Sequence, residues 1–191
     1  MDNKEKFTTK ATDYVKYRPL YPQAFIDYLI QEVGLAKDSV LADVGAGTGI
    51  LSKQLANRVK LVYAVEPNLP MRKACKTYCV SCENVTAVDG SAENTTLSPH
   101  SVDFITVAQA FHWFDREKTK REFQRILKPG GKVILVWNSR VPEDDLTKEN
   151  DQLFRRVCPD FNEFSGGAGI GPRILSGLLP RRALRLSGLW K

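Results

Sequence analysis

Leu41-Ala-Asp-Val-Gly45-Ala-Gly47-Thr-Gly49 is the segment that most narrows the folds open to this chain. A short β-branched run, Val40 to Val44, stops there, glycines follow at alternate positions, and a helix-like stretch runs from Ile50 to Arg58. Glycine in a strand-to-helix turn lets the chain bend tightly and lets a ligand approach the backbone. In doubly wound α/β sheets, ligands sit outside the carboxyl ends of the strands, which is where this turn falls. The dinucleotide fingerprint G-x-G-x-x-G requires glycine at position 50, and Ile50 stands there. The spacing is instead G-x-G-x-G, with Asp43 two residues ahead of the first glycine.

The rest of the chain supplies what such a turn needs around it. Phe25, Ile26, Leu29, Ile30 and Val33 form one apolar face over residues 22–33, with proline in the first turn and Gly34 at the end, which predicts a helix. Leu61 to Val65, Val85 to Val88, Val102 to Ala108 and Lys132 to Trp137 read as further strands. Helices are expected over Pro70 to Tyr78 and over Arg116 to Leu127, the latter closed by Pro129-Gly130-Gly131. Strands that are apolar along nearly their whole length and alternate with helices indicate a parallel sheet covered on both faces. The expected class is α/β: a Rossmann-like, doubly wound, mostly parallel sheet of five clear strands. Asp144 to Val157 predicts one more helix, and no period is visible from Phe161 onward.

At 191 residues the chain has the length of one domain, and it can bury a core without a disulfide or metal staple. Cys75, Cys79 and Cys82 fall on one helix face, but zinc wants four ligands, and Cys158 and both histidines are distant in sequence. Packed, reduced thiols and no metal are expected. The formal charge is +6, and residues 160–191, with two acids and five bases, hold +3 of it. The body thus lacks the concentrated basic stripe of a nucleic-acid surface. Apolar stretches such as Val133 to Trp137 are far too short to span a bilayer. The opening MDNKEKFTTK is charged where a secretory leader needs an apolar run, so a cytoplasmic protein away from membranes is expected.

Further motifs follow the remaining strands in order. Tyr63-Ala-Val-Glu66-Pro67-Asn68 places an acid at the end of the second strand, where its two oxygens can accept both ribose hydroxyls of a nucleoside. Gly90-Ser91-Ala92-Glu93 follows the third strand, and Gln109-Ala-Phe111-His112-Trp113-Phe114-Asp115 the fourth. Glu122-Phe-Gln-Arg-Ile-Leu-Lys-Pro-Gly-Gly131 leads into the fifth, and Tyr14-Val-Lys-Tyr17-Arg18-Pro19-Leu-Tyr21-Pro22 opens the chain. From about Phe7 to Arg140 this ordered set resembles the class I S-adenosylmethionine-dependent methyltransferases, in their small-molecule, type 11 branch.

The resemblance implies S-adenosylmethionine as cofactor, held by Asp43, Gly45, Ala46, Gly47 and Gly49 on the first turn and by Glu66, Pro67 and Asn68 on the second. Ser91, Ala92 and Glu93 would flank the adenine, although the family usually carries an acid where Ser91 stands; Asp89 or Glu93 can then supply the acceptor. Gln109 completes the cofactor set, with Tyr14 and Arg18 approaching its methionine end from an N-terminal lid. Phe111 and Trp113, with Phe114, would wall the acceptor pocket. His112 is the one histidine inside a motif and the candidate general base. The implied function is methyl transfer by in-line displacement to a small-molecule acceptor. The alternatives are an RNA methyltransferase, or a cofactor-binding protein with little turnover.

The expected organisation is a methyltransferase domain over residues 1–160, with 1–36 as lid and first helix, and an atypical, poorly ordered tail over 161–191. The sixth and seventh strands usual in this family are doubtful or missing. The fifth strand would then be an exposed apolar edge, open to self-association.

Overall fold

The computed structural model describes residues 19–137 together with helical positions at Glu149, Gln152 and Arg156. The lid residues Tyr14 and Arg18, the tail and any sixth or seventh strand lie outside the described residues, as does most of the helix expected over 144–157.

The described elements are α1 (Gln23–Gln31), β1 (Val40–Val44), α2 (Ile50–Ala56), β2 (Leu61–Val65), α3 (Leu69–Tyr78), β3 (Val85–Val88), β4 (Val102–Ala108), a 3₁₀ turn (Phe111–Trp113), α4 (Arg116–Ile126) and β5 (Leu127–Val136). The sheet runs β3-β2-β1-β4-β5 with every pairing parallel. Strand order reverses direction between β1 and β4. That is the topological switch point, and it opens a crevice at the carboxyl ends of the strands.

Period-2 alternation divides the core. Leu41, Val62, Phe104 and Ile134 pack with Phe25 and Leu29 of α1 and Leu51 and Leu55 of α2 on one face. Ala42, Val44, Val65 and Ile105 pack with Phe123 and Ile126 of α4 on the other. Local chemistry sets the helix starts: the Asn68 side chain accepts from the Met71 N–H at 3.0 Å, and the Asp115 side chain accepts from the Lys118 N–H at 3.1 Å. Cys75 and Cys79 are buried with Ala64, and they, like the half-buried Cys82, are free thiols, as the sequence led us to expect.

One boundary differs from expectation. The fifth strand begins at Leu127, the residue expected to close the helix, because Leu127 already pairs with Val102. Pairing resumes at Lys132 opposite Phe104, so the stretch from Lys128 to Gly131 bulges out and Pro129-Gly130-Gly131 interrupts a strand where a helix stop was expected. Proline, which has no N–H to give the ladder, is tolerated there. Lys128 Nζ donates to both Asp103 oxygens at 2.9 Å, and Asp103 Oδ2 accepts from the Val40 N–H at 2.8 Å, tying the bulge to β1. Among the described residues β5 is an edge strand, as is β3 at the opposite side, and no helix is long and apolar enough to cross a membrane.

Candidate functional site

The crevice at the switch point encloses about 310 Å³, within the range of small-molecule sites. The β1–α2 turn supplies its floor, the ends of β2 and β3 one side, and the end of β4 with the 3₁₀ turn the other. Asp43, Gly45, Ala46, Gly47, Glu66, Pro67, Asn68, Ser91, Ala92, Glu93, Gln109 and Trp113 all line it. Residues from Asp43 to Trp113 are thus gathered in one cavity.

Asp43 sits on the α2 face of β1 at 1% exposure, where Ser52 Oγ donates to one oxygen at 2.6 Å and Thr106 Oγ1 to the other at 2.9 Å. Burial raises its pKa against those two hydroxyl bonds. The side chain therefore clamps β1, β4 and α2 beneath the glycine turn while facing the cavity.

Glu66 leaves β2 at 8% exposure. Its Oε2 accepts from the Gly47 N–H at 2.9 Å and its Oε1 from the Asn68 N–H at 2.9 Å. A carboxylate offers about four acceptor sites, so each oxygen keeps one for a ligand hydroxyl. Burial pushes its pKa up, opposed by the two backbone N–H bonds and by the Arg72 charge. Glu66 and the glycine turn thus form one hydrogen-bonded unit.

The glycines divide by role. Gly47 has φ +57 and nothing within 4 Å of the place a Cβ would take, so its bare backbone faces open space in the crevice. Gly49 does not line the cavity. A Cβ on Gly49 would stand 2.6 Å from Cys75 Sγ and 3.1 Å from Cys79 Sγ, so the bare backbone of this glycine lets the turn pack closely on α3.

The fourth-strand motif divides as well. Gln109 adopts φ +58, a left-handed conformation uncommon for a residue other than glycine, held by its N–H donating to Val136 O at 2.8 Å. Its Nε2 and the Thr48 Oγ1 are buried without a hydrogen-bond partner among the described residues, and both residues line the cavity. Unmatched buried polar atoms beside a cavity fit a ligand that carries polar groups. Trp113 and Phe114 form an apolar wall. Phe111, expected in that wall, is instead buried at 4% exposure, its ring edge-on to those of Phe114 and Trp137. His112 is also outside the lining; burial lowers its pKa, and its ring lies 4.7 Å from that of Trp113.

On the β3 side, Ser91 and Asn94 exchange backbone hydrogen bonds across a tight turn. Glu93 Oε1 accepts from the Asp115 N–H at 2.9 Å. Asp89 points away, paired with Arg72 at 2.8 Å, and does not line the crevice, so of the two candidate acceptors only Glu93 reaches it. Tyr21, Thr48 and Met71 line the cavity without having been expected there. Met71, in the first turn of the helix after Glu66, was legible in principle; Tyr21 arrives through its backbone N–H and C=O bonds to the Gln54 side chain, which no local pattern encodes.

Comparison with known proteins agrees with this geometry. Residues 42–135 match the family model described as a methyltransferase domain, type 11. A methyltransferase-like protein of Schizosaccharomyces pombe is 34% identical over 81% of this chain and 61% of its own length. A methyltransferase of a Geobacillus species is 30% identical over 77% of this chain and 67% of its own. The solved structure of the YcgJ protein from Bacillus subtilis superposes with a TM-score of 0.56 at 26% identity, over 71% of this chain and 59% of that one. The chain thus spans roughly three fifths to two thirds of these relatives' lengths. With the 3-2-1-4-5 sheet, the glycine turn and the strand-end acid all in register with that match, the chain belongs to the class I S-adenosylmethionine-dependent methyltransferases, in the type 11 branch.

Proposed function

We propose that this chain binds S-adenosylmethionine in the switch-point crevice and transfers its methyl group to a small-molecule acceptor. The observation that carries the reading is the Glu66–Gly47 hydrogen bond at 2.9 Å, which joins a ribose-binding acid to a bare glycine backbone in one cavity. Glu66 accepts the ribose hydroxyls, and the backbone from Gly45 to Gly47 admits the cofactor at close range. Ser91, Ala92 and Glu93 border the adenine. Gln109 Nε2 and Thr48 Oγ1 supply polar contacts at the β1–β4 end, and the family resemblance assigns Tyr14 and Arg18 to the methionine moiety.

When bound, the cofactor supplies an activated sulfonium methyl for direct displacement. Little side-chain chemistry is then required, and the protein's contribution is to hold two reactants in line and exclude water. Trp113 and Phe114 perform the exclusion. His112, outside the crevice lining, supports the 3₁₀ turn by packing on Trp113.

Titration calorimetry with S-adenosylmethionine, followed by a methylation screen across acids, phenols, amines and tRNA, tests this reading. Saturable binding and methylation of a small molecule are expected. Methylation confined to tRNA, with steeply salt-dependent binding, would replace the small-molecule assignment. Binding without turnover on any acceptor would leave a cofactor-binding protein.

A further inference from the structure

Arg72 stands in α3 at 9% exposure, although arginine is among the side chains least often buried. It does not line the crevice. Its Nη1 donates to the carbonyl oxygen of Glu66 at 2.7 Å and to that of Pro67 at 3.1 Å, and its Nη2 lies 2.8 Å from Asp89 Oδ2. These partners belong to two different loops. Glu66 and Pro67 leave β2, whereas Asp89 leaves β3 immediately ahead of Ser91-Ala92-Glu93. A planar guanidinium presents donors in several fixed directions, so one side chain can serve both loops.

The two attachments differ in weight. The bond to Glu66 O is buried, whereas the Asp89 side chain is 74% exposed, and an ion pair with so exposed a partner contributes little. The far end of the β3 loop is held separately: Gly90 is pressed against Thr95 O, which would lie 2.6 Å from a Cβ there, and Thr95 is bonded to Glu122 of α4. Arg72 is thus a side-chain link from this loop to the β2 end, added to the backbone bond from the Glu66 N–H to Val88 O at 3.1 Å.

We infer that Arg72 is a positioning residue that anchors the backbone of the ribose acid Glu66 beside the base-side turn Ser91–Glu93, so that the sugar of the cofactor is held in register with its base. The inference rests on the cofactor site proposed above. It acts through Glu66, and that dependence separates it from a general role in stability.

The test is calorimetric binding of S-adenosylhomocysteine to wild type, R72M, R72K, E66A and the R72M/E66A double variant, each with its melting temperature. R72M is expected to raise Kd about tenfold or more, the loss of one buried charged hydrogen bond, with R72K intermediate. In the E66A background R72M should add only about threefold or less, since residues in one hydrogen-bond network are not additive. A folded R72M protein with unchanged Kd, or the same factor lost with and without Glu66, overturns the inference. Where R72M fails to fold, R72K decides alone, and an unchanged Kd overturns it. A wild-type protein that takes up no S-adenosylhomocysteine overturns the cofactor reading itself, a result distinguishable from either.

Discussion

At 8% exposure, the Glu122 carboxylate accepts from four donors, which makes the consequence of removing its charge calculable. Oε1 accepts from the Thr95 N–H at 2.7 Å, from Thr95 Oγ1 at 2.5 Å and from Arg125 Nη2 at 2.7 Å; Oε2 accepts from Arg125 Nε at 2.7 Å. Burial opposes ionisation, but the bonds from Arg125 and Thr95 outweigh it and hold the carboxyl down to about 2, against an ordinary 4.5. A folded-state pKa below the unfolded one means that ionised Glu122 stabilises the native state above pH 4.5 and that this stabilisation is lost as pH falls toward 2. The shift corresponds to about 3 kcal/mol at neutral pH, of which less than half remains at pH 3. Glu122→Gln should therefore be less stable than wild type by about 2 to 3 kcal/mol at pH 7, the gap narrowing by half or more on going to pH 3. Urea denaturation of both proteins across pH 3 to 7 measures the difference curve, in which the contributions of the other carboxylates cancel. Two unfolding curves separated by a constant amount at every pH, or not separated at all, would refute the reasoning.

Glu66→Ala should weaken cofactor binding by about 1.5 to 3 kcal/mol, the range for hydrogen bonds to a charged group, as read by titration calorimetry. Gly47→Val should abolish binding in a folded protein, because the side chain would enter the open space beside Gly47 and also oppose its φ of +57; normal cofactor uptake by that variant would contradict the placement of the cofactor. His112→Ala should lower turnover by less than about tenfold, whereas a loss of 10² to 10⁴ in a steady-state assay would reinstate it as general base.

Much of the fold was legible because the signals are local. The bounds of β1 through β4 follow from β-branched and apolar runs flanked by glycine, proline or polar residues, and the helices from periodic apolar positions bounded by proline and glycine. Glu66 and Gly47 were legible because a strand end and a glycine turn each state their place in a doubly wound sheet. The start of β5 was not, since Leu127 is helical by pattern and becomes a strand residue only by pairing with Val102.

The division within the site has the same origin. Composition and periodicity were enough to establish the α/β class, and the ordered motifs carried the resemblance to the family and marked the strand ends that border the crevice, all of which depend on neighbours a few residues apart. Which side chains of a motif reach the crevice depends on contacts across the chain. Gly49 turns to Cys75 and Cys79, Phe111 sinks toward Trp137 while Trp113 stays at the wall, and Arg72, unremarkable in sequence, bridges the loops of β2 and β3. A motif specifies residue types in order, but the direction each one faces is set by packing against partners tens of residues away.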